Sequence, residues 1–262
     1  MNSRLRFFLL AIVLSSTPLF ARDVWVLQGT AVSGSGCDLV TWLGSIEFFN
    51  AGQAPATVRF VDVSGDQDLA FRPSSVTINP GEMIQTFAWN FSSPTERLSV
   101  VHLDVPDEVT TRARLSIGGQ RECPPFPPID RSAIHGKAVL PIRTALIPAG
   151  RVQPHLDTDL GTLTARSNVA VFNASENDAH AHIEVRRACD LSVIDSRDLT
   201  IAPRAVVQTN NLSATSNCTG DQGTTDNAPY VTYAIVTVDQ PSVSWVTTLS
   251  NSLTPDITYG VE

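Results

Sequence analysis

The chain runs to 262 residues, with 18 Lys and Arg against 26 Asp and Glu, a formal net charge of −8, and 42% hydrophobic residues. That length is enough for two cores of ordinary domain size. The acidic balance argues against nucleic acid or an anionic membrane surface as partner, since each wants a basic face.

The first residues read as a secretory signal peptide spanning 1–21. Arg4 and Arg6 form the basic region, Phe7 to Leu14 the apolar core, and Ser15 to Ala21 a stretch ending in Leu-Phe-Ala. Cleavage is expected after Ala21, although Leu19 is larger than the small residue that such sites favour at that position. The apolar core is too short to span a bilayer, and no later stretch is long and apolar enough for a transmembrane helix. Removing Arg4 and Arg6 from 18 basic residues leaves 16 against 26 acidic ones, a net charge of −10. The expected product is soluble and is either secreted or periplasmic.

From there the chain reads as short strands. Runs of four to eight residues rich in Val, Ile, Phe and Thr are separated by Gly, Pro, Asn and Asp, and no amphipathic helix is visible. In a first domain, 22–118, the strands are expected over 23–32, 39–50, 56–63, 69–71, 76–78, 83–89, 98–105 and 110–117. Residues 119–137 are read as a linker, because Cys123-Pro-Pro-Phe-Pro-Pro128 lacks the amide donors of a central strand. A second domain, 138–262, is expected to place strands over 139–147, interrupted at Pro141, and over 163–173, 179–187, 198–201, 205–212, 230–239 and 242–251. A further strand is expected over 256–261. This density of short strands is the signature of β-sandwiches, so the predicted class is all-β with two tandem sandwich domains.

The two domains are copies. Shifting the sequence by 123 residues lays 46–86 over 169–209 without a gap, with nine of 41 pairs identical. These include Phe49/Phe172, Asn50/Asn173, Ala51/Ala174, Pro80/Pro203 and Thr86/Thr209. Beyond that stretch, Thr110–Leu115 is aligned with Ser244–Leu249 through an insertion of 11 residues, placed in the polar loop 211–229. Long polar loops on rigid sandwiches often carry binding, so Asn211, Asp221, Asp226 and Tyr230 are the candidate contact residues.

The repeated unit resembles extracellular bacterial immunoglobulin-like modules. The resemblance rests on Ile46-Glu-Phe-Phe-Asn-Ala-Gly52, Ala56-Thr-Val-Arg-Phe60 and Val76-Thr-Ile-Asn-Pro-Gly81, with Val169-Ala-Val-Phe-Asn-Ala-Ser175 and Leu199-Thr-Ile-Ala-Pro203 in the second copy. Arg204 departs from it, standing where the pattern has Gly. The resemblance implies two immunoglobulin-like sandwiches whose roles are spacing, scaffolding, or contact with protein or carbohydrate. Asn50 and Asn173 suit the turn, since Asn tolerates a left-handed backbone. Periplasmic pilus chaperones also carry two such domains, and their reading is kept as an alternative, although the halves here resemble each other more than that family's do.

Cys37, Cys123, Cys189 and Cys218 make an even number in an exported chain, which favours two disulfides with three pairings open. One bridge per domain, Cys37–Cys123 and Cys189–Cys218, is the expectation. The 123-residue shift maps no Cys onto another, so the bridges are additions to each copy. No Cys-x-x-Cys pair is present to seed a zinc site.

The search for chemistry finds little. His180 and His182 are spaced to share one strand face, with Asp178 two residues before, and form the candidate metal ligands of a metal-dependent alternative. Their first-copy counterparts, Thr57 and Arg59, point to a solvated face. His155, Asp157 and Asp159 cluster in a Pro- and Asp-rich stretch read as a turn. No Gly-x-Ser-x-Gly elbow, His-Glu-x-x-His or phosphate-binding glycine loop occurs. Asn90, Asn173, Asn211 and Asn217 match the glycosylation acceptor pattern. The reading that follows is a non-catalytic exported protein that needs no cofactor.

Overall fold

The computed structural model describes residues 21–33, 39–65, 74–87, 97–120, 134–140, 142–159, 165–187, 190–212, 230–250 and 257–259. The described elements are all β. In the first half they are β1 (Ala21–Ser33), β2 (Leu39–Asn50), β3 (Ala56–Gly65), β4 (Ser75–Ile78), β5 (Met83–Phe87), β6 (Arg97–Pro106), β7 (Val109–Gln120) and β8 (Ile134–Leu140). In the second half they are β9 (Val152–Asp159), β10 (Ala165–Asn173), β11 (Ala179–Arg187), β12 (Val193–Ile201), β13 (Val206–Leu212), β14 (Tyr230–Val238), β15 (Ser242–Ser250) and β16 (Ile257–Tyr259).

All pairings among the described strands are antiparallel. The first unit is one sheet of order β4-β3-β6-β1-β2-β7-β8, with β5 beside β2. Strand β1 turns its corner, since Ala21–Thr30 pairs with β6 while Thr30–Ser33 pairs with β2. The sheet thereby folds over itself, and Val24, Val58, Ile78 and Leu103 of one layer meet Ile46, Phe48, Val109 and Ala113 of the other in a single core. The second unit repeats the plan as two sheets, β12-β11-β14-β9 and β13-β10-β15-β16, around Val169, Val171, Ile183, Ile201, Val236 and Val246. These layers are consistent with two β-sandwiches.

The register corrects the alignment of the copies. Asn50 lies opposite Val109, and Asn173 lies opposite Ser242. The shift at this strand is therefore 133 residues, and the insertion is ten residues rather than 11. Strand pairing alternates faces, so the one-residue error would have turned every side chain of β15 inside out.

Three further expectations change. Residues 134–137, assigned to the linker, and 138–140, assigned to the second domain, together form β8 and pair with β7 of the first unit. Residues 152–159, read as a turn, form β9; among the described residues it pairs with β14 alone and lies at a sheet edge, where a residue such as Pro154 is tolerated. β12 begins at Val193, five residues before the expected strand. The expected strand 69–71 lies outside the described residues.

The conserved-looking turn has a different cause from the one expected. Neither Asn50 nor Asn173 is among the described non-glycine residues with positive φ. Each is instead fully buried. The Asn50 amide donates to the carbonyls of Ala54 and Ile78 at 2.8 and 2.9 Å and accepts from the Gly52 amide at 2.8 Å. Asn173 reproduces this with Asn177, Ile201 and Ser175 at 2.7, 3.1 and 2.9 Å. Asn was duplicated because its short amide fastens two chain segments that would otherwise bury unpaired carbonyls. A side chain so enclosed is no glycosylation acceptor.

Candidate functional site

The outer faces of the two units meet. Trp25, Leu27 and Val100, on the solvent-side face of β1 and β6, pack against Ala170, Phe172, Val243 and Trp245 on β10 and β15. In the first unit the positions equivalent to this last set are Glu47, Phe49, Thr110 and Arg112; the last three are exposed, Phe49 at 41% where Phe172 is 2% exposed, and Glu47 is half-buried beside Arg114. The second copy thus replaced an acid and a cation with Ala170 and Trp245, and the gain is a shared apolar interface.

Arg204 extends that interface. It keeps the left-handed backbone of its counterpart, with φ of 57° against 73° at Gly81. That conformation costs a side-chain-bearing residue about 1–2 kcal/mol. Its guanidinium donates to the Ala174 carbonyl at 3.1 Å, lies 5.6 Å from the Phe172 ring centre, and closes on Asp62 of the first unit. The structure therefore assigns a use to the residue that breaks the turn pattern.

Beneath the interface lies a buried polar chain that the first unit lacks. Following the register from β6 to β1 and from β14 to β9, Val24 and Val26 correspond to Gln153 and His155. Both replacements are buried, as are Ser242 and Ser244 on facing β15. Arg143 enters from the segment between the units. Its backbone exchanges two hydrogen bonds with Trp25, at 2.7 and 3.0 Å. Its side chain reaches the second unit, with Nε donating to the Ser244 carbonyl at 3.0 Å and Nη2 lying 3.0 Å from Nδ1 of His155.

The direction of this chain follows from one fact. A guanidinium has no acceptor, so Nδ1 of His155 must accept and its proton must sit on Nε2. Nε2 then donates to Ser244 Oγ at 2.6 Å, Ser244 donates to Gln153 Oε1 at 2.8 Å, and Gln153 Nε2 donates to Ser242 Oγ at 2.9 Å. Burial, with the Arg143 charge added, lowers the His155 pKa to about 3. A Ser–His pair invites comparison with a nucleophile and its base, but this one runs the wrong way. A base must offer a lone pair to the hydroxyl proton, and here the imidazole offers a proton to the hydroxyl oxygen.

The sequence-selected candidates lie elsewhere. His180 and His182 share the outer face of β11 as their spacing requires. They line an open groove with Gly150, Asp198, Thr200, Thr237 and Asp239. His182 stands between two carboxylates, Nδ1 at 2.7 Å from Asp198 and Nε2 at 3.3 Å from Glu184. The hydrogen bond with Asp198, then that with Glu184, raises its pKa. Thr200 Oγ1 is 3.5 Å from His180 Nδ1. Asp178 is an exposed residue just before β11. Among the described residues no group of three or more His, Cys, Asp or Glu is arranged to hold a metal ion.

His155 lies not in a turn with Asp157 and Asp159 but on a strand, from which it faces the core. Cys37, Cys123, Cys189, Cys218, Asp221 and Asp226 lie outside the described residues. Asn211 falls within β13, and Tyr230 opens β14. No described helix is long and apolar enough to cross a membrane. Comparison of the chain with protein-family models and with curated proteins returns no match.

Sequence reasoning missed Arg143, Gln153, Ser242 and Ser244. The signal was present only in comparison: had β9 been recognised as the copy of β1, two Val replaced by Gln and His on an inward face would have stood out.

Proposed function

We propose that the chain is a non-catalytic exported protein in which two immunoglobulin-like modules are held in fixed relation to present a binding or scaffold surface. The observation that carries this reading is where the copies diverge. Ala170, Trp245, Arg204 and Arg143 all join one unit to the other, while the Ser–His contact among the described residues is oriented against general-base use. Flexibly linked modules need no such interface; a defined spacing or a composite surface does. Export rests on the reading of residues 1–21 as a cleaved signal, and the disulfides on the even number of Cys. The contact region is proposed to be the loop 211–229, for a protein or carbohydrate partner.

Two experiments test the reading. Cell fractionation of the tagged full chain, with N-terminal sequencing, is expected to find a product outside the cytoplasm that begins at Arg22; a cytoplasmic, unprocessed chain overturns export. For the loop, partner capture by the intact protein is compared with a version lacking residues 219–229. Unchanged capture removes the loop assignment. A second reading, a metal-dependent activity at His180 and His182, is favoured by their shared face on an open groove. Elemental analysis of purified protein decides it, since absence of a stoichiometric transition metal ends that reading.

A further inference from the structure

We propose that Arg143 and His155 form an acid-sensitive latch between the two units, released when the imidazole takes up a proton. The latch has one end on each unit. On the first, the Arg143 backbone is paired with Trp25 of β1, whose ring lies in the shared apolar interface. On the second, its guanidinium is held by His155 of β9 and by the carbonyl of Ser244, which immediately precedes Trp245. Trp25 and Trp245 are 7% and 0% exposed, so both sides of the latch adjoin buried tryptophans.

Protonation is incompatible with this geometry. Nδ1 is the acceptor for Arg143; once it carries a proton, two donors and two positive charges face each other across 3.0 Å. The opposite side offers no relief, because Ser244 Oγ already receives the Nε2 proton and passes its own to Gln153. The groups facing His155 are Arg143 from the connecting segment, Ser244 from β15, Gln153 on its own strand and Ala234 opposite it on β14. Arg143 is the one charged group among the described residues that acts on it electrostatically. Among the described residues, none of the hydrogen bonds of His155 is to a carboxylate. The proton can be accommodated only if Arg143 withdraws or β9 lifts, and withdrawal of Arg143 pulls on Trp25.

The titration window supports this. An opened state takes up the proton near the ordinary value of 6.5, the closed state only near 3. Across that interval opening becomes about tenfold more favourable per pH unit, or about 100-fold by pH 4.5. One other acid-responsive contact can be separated from it. The Asp62–Arg204 pair responds below the carboxylate value of 3.8, since Asp62 is lowered from it. His102 is stacked on Trp25 at 4.6 Å, with Nε2 2.8 Å from Asp23, and is controlled for by its own variant.

The test follows tryptophan emission, the radius of gyration from small-angle X-ray scattering, and far-UV circular dichroism on the full mature chain between pH 7.5 and 4.5. The expected result is a red-shifted emission and a larger radius while the strand signal is kept. His155→Gln, which offers Arg143 an acceptor that does not titrate, is expected to abolish the response. His155→Val installs the residue of the first unit and is expected to do the same, so one folded variant suffices. His102→Gln is expected to retain it. Absence of any change in the wild type, a response that survives in the His155 variants, or loss of the strand signal together with the emission shift overturns the latch.

Discussion

The guanidinium of Arg204 closes on the carboxylate of Asp62, 142 residues earlier in the chain, and so joins a turn of the second unit to β3 of the first. The same turn in the first unit ends in Gly81 with no side chain to reach anything. Both partners are partly exposed, at 38% and 41% of their side chains, so the pair is screened and worth about 0.2–1 kcal/mol. Its signature is coupling. In a double-mutant cycle of Arg204→Ala and Asp62→Ala followed by urea unfolding, a coupling of about 0.5 kcal/mol is expected, and strictly additive losses would refute the contact. Burial pushes the Asp62 carboxyl up, but the Ser64 hydroxyl and Arg204 outweigh it and the pKa is lowered. Its contribution is therefore present above the unfolded value of 3.8 and is lost as pH falls through the folded one.

Asn50 and Asn173 hold equivalent networks, so they are expected to fail equally. Asn50→Ala or Asn173→Ala removes the amide from buried carbonyls and a turn amide, at a cost of about 1–3 kcal/mol in the unit concerned. Thermal unfolding of each variant measures this. A negligible effect at either position would show that the amide is not what fastens the turn.

Ser244→Ala leaves the Nε2 proton of His155 and the Gln153 carbonyl without a buried partner, and about 1–3 kcal/mol is expected to be lost. Replacing Gln153, His155, Ser242 and Ser244 together with the first unit's Val24, Val26, Val109 and Thr111 should cost less than the single change, provided Arg143→Met accompanies it. Removing every member of a polar network is gentler than removing one. If the combined variant is the less stable, the chain contributes more than mutual satisfaction.

His182 is expected to titrate above 6.5 when followed by NMR of its ring protons, because Asp198 and Glu184 stabilise the cation. Its folded value is raised, so its contribution to stability is complete below the unfolded value and is lost as pH rises through the folded one. Asp198→Ala should return the midpoint toward 6.5. A midpoint unmoved by that change would mean that the carboxylate does not face the ring in solution.

Trp245→Arg gives the second unit the residue that stands at Arg112. It places a charge against Trp25 and Leu27, and separation of the units without loss of either core is expected. Scattering shows the larger radius, and limited proteolysis should cut the segment 142–151. A compact variant would mean that the apolar patch is not what holds the units together.

What the sequence determined by itself was the repeated plan. Alternating apolar residues placed most strands, and Phe49/Phe172, Asn50/Asn173 and Pro80/Pro203 marked which pieces were copied. These are local signals, written in periodicity and turn chemistry. The tertiary structure decided the rest because the remaining contacts join residues far apart in the chain. Whether a Phe is a solvent-side residue like Phe49 or an interface residue like Phe172 depends on what packs over it, and neither sequence neighbourhood says. His155 looked like one of a cluster in a turn until β9 was seen to occupy the place of β1, where its ring faces inward. Arg204 looked like a lapse in a turn until Asp62 came within reach. The copied residues make two folds, and what packs over them, with differing residues such as Trp245 and Arg204, makes the two folds into one body.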